Sequence, residues 1–292
     1  MITIFTPTFN RAYALPKLYK SLCSQTSNQF EWIVVDDGST DNTKELVDSW
    51  VEDGKISIRY IYQKNAGKPA AHNRGVMEAK GELFVCVDSD DFLVPEAVQT
   101  IEKCLDQIQS ENMVGILAYR MHSDNTPITI IKDKSITAST LSDAYKKHGL
   151  SGDTMLVFKT KIVKKFKFPI IEGEKFIPEG YLYNKIDKFG VLFILRKPLY
   201  VCEYLEDGYT RNVSKLIFNN YKSYIIHLNA RLKEMDKGID KLFDSIRYDS
   251  VMIAHKQKGI IANAVYPVLA FCGLLPALII AYKRYGEYMK NN

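Results

Sequence analysis

The sequence predicts an α/β fold in which a mostly parallel central sheet is covered by helices on both faces and continues into a C-terminal helical extension. Short β-rich runs alternate with segments of helical period over roughly the first 120 residues, which implies βα crossovers. The polar clusters fall where the apolar runs end, and open sheets of this kind bind ligands where loops leave the carboxyl ends of strands. Beyond about Tyr119 the alternation loosens, and from Lys215 long helical periods replace it.

Ile2 to Thr6 reads as the first strand, followed by a helix with Leu15, Leu18 and Leu22 on one face and Pro16 in its first turn. Glu31 to Val35 is the second strand; Thr40 or Asp41 is placed to cap the helix that carries Leu46, Val47 and Trp50. Ile56 to Tyr62 is a strand, Pro69 to Lys80 a helix, Leu83 to Val87 a near-continuous apolar strand, Pro95 to Gln109 a helix and Val114 to Arg120 a strand. Later signals are weaker: strands at Ile128 to Ile131, Met155 to Phe158 and Phe193 to Arg196, and a helical stretch after Pro178. Lys215 to Lys256 reads as two charged amphipathic helices broken near Gly238.

Gly259 to Tyr282 carries no charged residue and is long enough to span a membrane. Pro267 and Pro276 each remove a helical hydrogen bond, and both flanks are basic, with Lys256 and Lys258 before and Lys283, Arg284 and Lys290 after. A re-entrant hairpin or a pair of helices lying in the interface keeps both flanks on the cytoplasmic side; a simple span and a hairpin buried in a soluble fold are the alternatives. Four segments result: 1–125 with the regular alternation, 126–212 with the looser pattern, 213–258 with the amphipathic helices, and 259–292, expected to associate with a membrane.

A formal charge of +5 is too small to argue for nucleic acid, yet it suits a protein that meets anionic phosphates or lipid. The five cysteines are widely spaced and form no CxxC pair, as expected of reduced thiols. The first residues lack the basic lead and apolar run of a signal peptide, so the expected location is cytoplasmic, peripheral or monotopic at the inner face of the cell membrane.

The strongest chemical signal is Val85-Cys86-Val87-Asp88-Ser89-Asp90-Asp91, an apolar strand ending in three carboxylates. Acids this close repel one another, and a divalent cation relieves the repulsion. Asp88 and Asp90 either offer the hard oxygen ligands that Mg2+ or Mn2+ takes while keeping sites for phosphate, or form a solvated acidic turn or helix cap; their place at the end of a buried strand favours the metal. At the end of the second strand, Asp36-Asp37-Gly38-Ser39-Thr40-Asp41 either accepts hydrogen bonds from a uracil imide or ribose, or simply forms the turn and caps the next helix. The run Asn65 to Gly75 leads into a helix, where free amides and the helix dipole favour an anion and Lys68, His72 and Arg74 add charge; Arg74 has the commoner alternative of a surface ion pair. Thr6-Pro7-Thr8-Phe9-Asn10-Arg11 would meet a nucleotide with backbone groups.

In this order and spacing, these motifs resemble the family 2 inverting glycosyltransferases of the GT-A, Rossmann-like fold, closely over residues 1 to 125 and loosely over 150 to 212. The resemblance implies a nucleotide-diphosphate sugar donor, usually UDP-linked, and a hexosyl- or N-acetylhexosaminyltransferase. It implies that Thr6, Pro7 and the following loop line the base pocket and that Asp37, beside Asp36, reads the uracil. It sets Asn65, Lys68, His72, Asn73 and Ser89 near the donor, with Asp90 the principal metal ligand and Asp88 close to the sugar or ribose. Arg211, after a segment that folds over the donor in similar enzymes, becomes a further phosphate partner, and Asp153 faces the acceptor.

Two positions depart from the pattern. His72 stands where many relatives carry arginine, and Gly180 replaces the aspartate often assigned as base, leaving Glu179 as the candidate, with Glu172 and Glu174 nearby. A membrane-docked enzyme implies a polyprenyl-diphosphate-linked saccharide acceptor and a role in surface polysaccharide biosynthesis. The competing readings are an inactive carbohydrate- or nucleotide-binding protein of the same fold, and a nucleotidyltransferase.

Overall fold

The computed structural model describes residues 1–203, 212–234 and 238–290. The chain divides into two compact units, Met1–Phe168 with Leu182–Leu205, and Pro169–Tyr181 with Glu206–Asn292.

In the first unit, β1 (Ile2–Thr8), β2 (Phe30–Asp36), β3 (Ile58–Tyr62) and β4 (Leu83–Cys86) alternate with α1 (Leu15–Cys23), α2 (Thr43–Asp53) and α3 (Lys68–Glu78). These strands pair in parallel in the order β3-β2-β1-β4, each joined to the next along the chain by one of the three helices, as parallel pairing requires a crossover. Further along come β5 (Phe92–Leu93), α4 (Ala97–Glu102), β6 (Met113–His122), β7 (Ile130–Ile131), β8 (Ala138–Ser139), α5 (Leu141–Lys147), β9 (Leu150–Ser151), β10 (Thr154–Lys159), α6 (Thr160–Val163), α7 (Gly180–Ile186, its first two residues in the second unit) and β11 (Val191–Cys202). Past β4 the sheet becomes mixed, because β10 enters antiparallel between β4 and β6 and β5 pairs antiparallel with β11. The helix expected over 95–109 is shorter: α4 ends at Glu102, and a 3₁₀ turn over Asp106–Ile108 follows.

The β-branched and aromatic runs of β1, β2 and β4 form strands because they are buried on both faces, and every residue of β2 is buried. One layer of this core is a stack in which Tyr19 lies 4.3 Å from Trp50, with Trp32 6.0 Å from the same ring.

The second unit contains α8 (Val213–Asn219), α9 (Tyr221–Glu234), α10 (Ile239–Ala254) and α11 (Pro267–Met289). Its core gathers Phe218, Tyr224, Leu228, Tyr248, Val251 and Tyr285. In place of the expected hairpin or helix pair, residues 267–289 form a single helix. Pro267 occupies the first turn, where no intrahelical donor is required. Pro276 lies inside the helix, and the carbonyl that loses its partner belongs to exposed Cys272, where solvent can replace the bond.

Candidate active site

Three parallel strands set the site. Thr8 pairs with Asp36 and Phe5 with Cys86, so the loops after β1, β2 and β4 leave one edge of the sheet together. Asn10, in the left-handed region that asparagine tolerates, ties the first two loops: its Oδ1 accepts from the Thr40 amide at 2.7 Å, and its own amide donates to Ser39 Oγ at 2.8 Å. Gly38 has φ +84°, and a Cβ there would stand 2.8 Å from the Asn65 nitrogen, so glycine lets the loop after β2 lie against the loop after β3.

Asp36 and Asp37 are both buried and both engaged. Asp36 accepts from the Ser39 amide at 2.7 Å and from the Tyr60 hydroxyl at 2.5 Å. Asp37 accepts from Gln63 Nε2 at 2.7 Å, the Ala66 amide at 2.9 Å and the Gly67 amide at 2.7 Å. Asp37 therefore orders the 63–67 loop and the entry to α3. In that loop Asn65 Oδ1 is buried without a hydrogen-bond partner, as is Thr8 Oγ1 at the end of β1.

Lys68 reaches across to the acid cluster, with Nζ 2.7 Å from Asp88 Oδ1. Ser89 is buried beside the acids. Burial, and after it the charge of Asp88, raises the Asp90 carboxyl above the ordinary range. The same causes in the same order push Asp91 up to about 7. Asp91 is held from below: the buried Tyr200 hydroxyl donates to its Oδ2 at 2.7 Å, and the Glu203 amide donates to its Oδ1 at 2.9 Å. Tyr200 also accepts the Asp88 amide at 3.0 Å. The Arg120 guanidinium carbon lies 4.0 Å from the Tyr200 ring centroid, and Arg120 Nε donates to the Thr154 carbonyl at 2.9 Å. This half-buried cation interacts favourably with Asp88 and Asp91 and is a counter-charge of the protein's own for the acids. The sequence signal for this layer was slight: an arginine ending one apolar strand and a tyrosine inside another, brought together only by the β6–β11 pairing.

Other expected site residues have structural partners. Thr6 is buried, and its Oγ1 accepts from Trp32 Nε1 at 2.9 Å, whereas Pro7 is partly exposed. His72 is buried among Phe5, Phe84 and Phe168, all with ring centroids within 5.7 Å, so packing accounts for its place on α3. Asn73 clamps Phe168, donating to its carbonyl at 2.9 Å and accepting its amide at 2.8 Å. Arg74 pairs with Glu78 at 3.0 Å one helical turn on. Arg211 lies outside the described residues.

In the second unit, Glu174 accepts the Lys222 and Ser223 amides at 3.0 and 2.7 Å and so caps α9, while Glu172 is exposed. Glu179 is half-buried just before α7. A Cβ at Gly180 would meet nothing nearer than His227 Cε1 at 3.5 Å, so packing does not demand glycine there.

The sheet order and the loops at its carboxyl edge are those of the GT-A fold. The family model for glycosyl transferase family 2 matches residues 3–165, and the chain belongs to that family. An uncharacterized glycosyltransferase of Nostoc sp. is 31% identical over 129 residues, covering 44% of this chain and 39% of its own. The chain spans less than half the length of the first curated relatives it matches. Among solved structures, S. aureus TarS 1–349 in complex with UDP-GlcNAc superimposes with a TM-score of 0.64 at 18% identity, over 99% of this chain and 82% of that one. The mannosyltransferase PcManGT from Pyrobaculum calidifontis, in complex with GDP-Man and Mn2+, does so with a TM-score of 0.55 at 16% identity, over 99% and 83%.

Proposed function

We propose that the chain is an inverting glycosyltransferase that moves a sugar from a UDP-sugar to a hydroxyl of a saccharide acceptor. The observation that carries this reading is the convergence of Lys68, Asp88 and Asp90 at the carboxyl edge of the parallel strands, next to loops holding two buried, unpartnered oxygens. Thr8 Oγ1 and Asn65 Oδ1 are acceptors in search of donors, which nucleotide imide and hydroxyl groups supply. Two bound neighbours of the same fold carry nucleotide-sugars in their structures, UDP-GlcNAc in one and GDP-Man in the other.

The acids fit a hard divalent cation. Asp91 is occupied by Tyr200 and Glu203, which leaves Asp88 and Asp90 as oxygen donors, and the raised Asp90 carboxyl is one that a nearby positive charge would ionise. Among the described residues no group of three or more such side chains is placed to hold a metal ion, so water and substrate phosphates would have to complete the shell of Mg2+ or Mn2+. Once bound, the ion supplies neutralisation of the charge on the departing diphosphate. Lys68 offers a second positive charge to the same oxygens. Glu179 takes the proton from the acceptor hydroxyl, the hydroxyl oxygen bonds to the anomeric carbon, and the bond to the diphosphate breaks with its electron pair leaving on UDP. Attack from the face opposite the leaving group inverts the centre.

The acceptor is assigned as a polyprenyl-diphosphate-linked saccharide at the inner face of the cell membrane, consistent with a role in surface polysaccharide assembly. Support comes from α11, which is long and apolar enough to cross a membrane by length and composition. The test is a donor screen that measures UDP released from each common UDP-sugar, with and without membrane lipid extract. One donor turned over faster with extract is expected; UDP binding with no turnover of any donor would instead identify an inactive binding protein.

A further inference from the structure

We propose that α11 lies flat in the headgroup region of an anionic membrane, carried on α10, and does not span the bilayer; this rests on the membrane-docked reading above and fixes its geometry. The two faces of α11 differ in kind. Ala270, Gly273, Ala277, Ala281 and Tyr285, spaced three or four apart, are buried within the second unit. Gly273 makes the approach to α10 possible, since a Cβ there would stand 2.8 Å from Asp249 Oδ2 and 3.1 Å from Ile246 Cγ1. The opposite face is large, apolar and open: Val268 is 75% exposed, Phe271 66%, Leu275 73%, Ile279 52% and Tyr282 64%. These five also follow helical spacing, so they form one stripe along the axis.

Spanning would require α11 to leave α10 or to take α10 along. Leaving would strip the buried face of α11, Ala270, Gly273, Ala277, Ala281 and Tyr285, from the second unit, together with the close approach to Ile246 that Gly273 allows. Taking α10 along would carry Asp240, Lys241 and Arg247, together with the Asp244–Arg231 pair, into hydrocarbon, at a cost of several kcal/mol per charge. Lying flat avoids both, because only the open stripe enters the lipid.

The charges select the surface. Lys256 and Lys258 precede the helix, and Lys283, Arg284 and Lys290 close it against one acid, Glu287. A flat helix presents both basic ends to the same anionic leaflet, whereas a span sends one of them across.

Depth-resolved fluorescence tests this in the full chain. The two native tryptophans, Trp32 and Trp50, are buried in the first unit and serve as an unquenched background. Val268→Trp, Leu275→Trp and Tyr282→Trp place reporters along the open stripe. They are mixed with phosphatidylcholine–phosphatidylglycerol vesicles whose acyl chains are brominated at shallow or deep positions. The expected result is salt-sensitive binding, with all three reporters quenched best by the shallow bromines, and at least about tenfold weaker partitioning when Phe271→Glu and Leu275→Glu are combined. Positions seven residues apart rise about 10 Å along a helix axis. Deep quenching at 275 with shallow quenching at 268 and 282 would therefore mean a span and overturn the flat geometry. Absence of vesicle binding would overturn the membrane itself as occupant, and a dimer abolished by Leu275→Glu would name a second copy in its place. Release of UDP in lipid-free solution, measured on the same variants, reports the transferase reading separately.

Discussion

Replacing Tyr200 by phenylalanine removes one oxygen from beneath the acid cluster and keeps the ring on which Arg120 rests. That oxygen donates to Asp91 at 2.7 Å and accepts the Asp88 amide at 3.0 Å, in a residue with no exposure. Removing one partner of a buried hydrogen bond costs about 1–3 kcal/mol, and the burial of both Tyr200 and Asp91 puts the loss toward the upper end. Asp91 retains the Glu203 amide, so the loss is that of one bond and one orphaned amide, about 3 kcal/mol in all. Because both tryptophans belong to the first unit, their fluorescence during urea unfolding follows the affected core. The midpoint should fall with unchanged slope. The Asp88–Asp91 turn should also loosen, so turnover should drop more than donor KM rises. A change below about 0.5 kcal/mol would refute the claim that Tyr200 supports the cluster.

The other predictions concern single contacts. Asp37→Asn places an amide against three donors that now meet a carboxylate, and should cost about 2–3 kcal/mol by the same unfolding assay; an unchanged midpoint would contradict its ordering role. Lys68→Met should raise the donor KM about tenfold or more while leaving the unfolding midpoint within about 1 kcal/mol, since its pair with Asp88 is only partly buried; an unchanged KM would remove Lys68 from donor binding. Asp249 has its carboxyl raised from 3.8 to about 7 by burial, so the folded chain holds a proton that the unfolded chain has released. Native stability therefore falls as pH rises from about 4 to 7 and levels off above, and Asp249→Asn should gain on the wild type over that window by up to roughly 4 kcal/mol; parallel curves for the two proteins would contradict this. Gly180→Ala should fold with an unchanged midpoint, because the space for a Cβ is open.

The parallel half of the sheet was legible because each of its strands is an apolar run bounded by turn residues, and β4 illustrates it: four residues, Leu83–Cys86, buried on both faces and followed at once by acids. The antiparallel insertion of β10 between β4 and β6 was not legible, since pairing between distant segments leaves no periodic mark in either. For the same reason the Arg120–Tyr200–Asp91 layer was invisible: its members are joined by register and by nothing local. His72 shows a different limit: as a residue type it suggested charge near an anion, and its burial against three aromatic rings follows from the register of α3 on the sheet, which its local sequence does not mark. Pro276 read as a helix breaker by composition, yet residues 267–289 run through it as one helix, and the carbonyl it leaves unpaired, that of exposed Cys272, is open to the water that the headgroup region of a membrane retains.

The central claim, that Asp88 and Asp90 hold a divalent cation against a nucleotide diphosphate, is tested most directly by Mn2+ binding followed through the electron paramagnetic resonance of the free ion. Wild-type protein should bind about one Mn2+ with an affinity that rises when UDP is added, and Asp90→Asn should lose both the binding and its UDP dependence. Equal Mn2+ binding by the wild type and Asp90→Asn, or binding indifferent to UDP, would contradict the account.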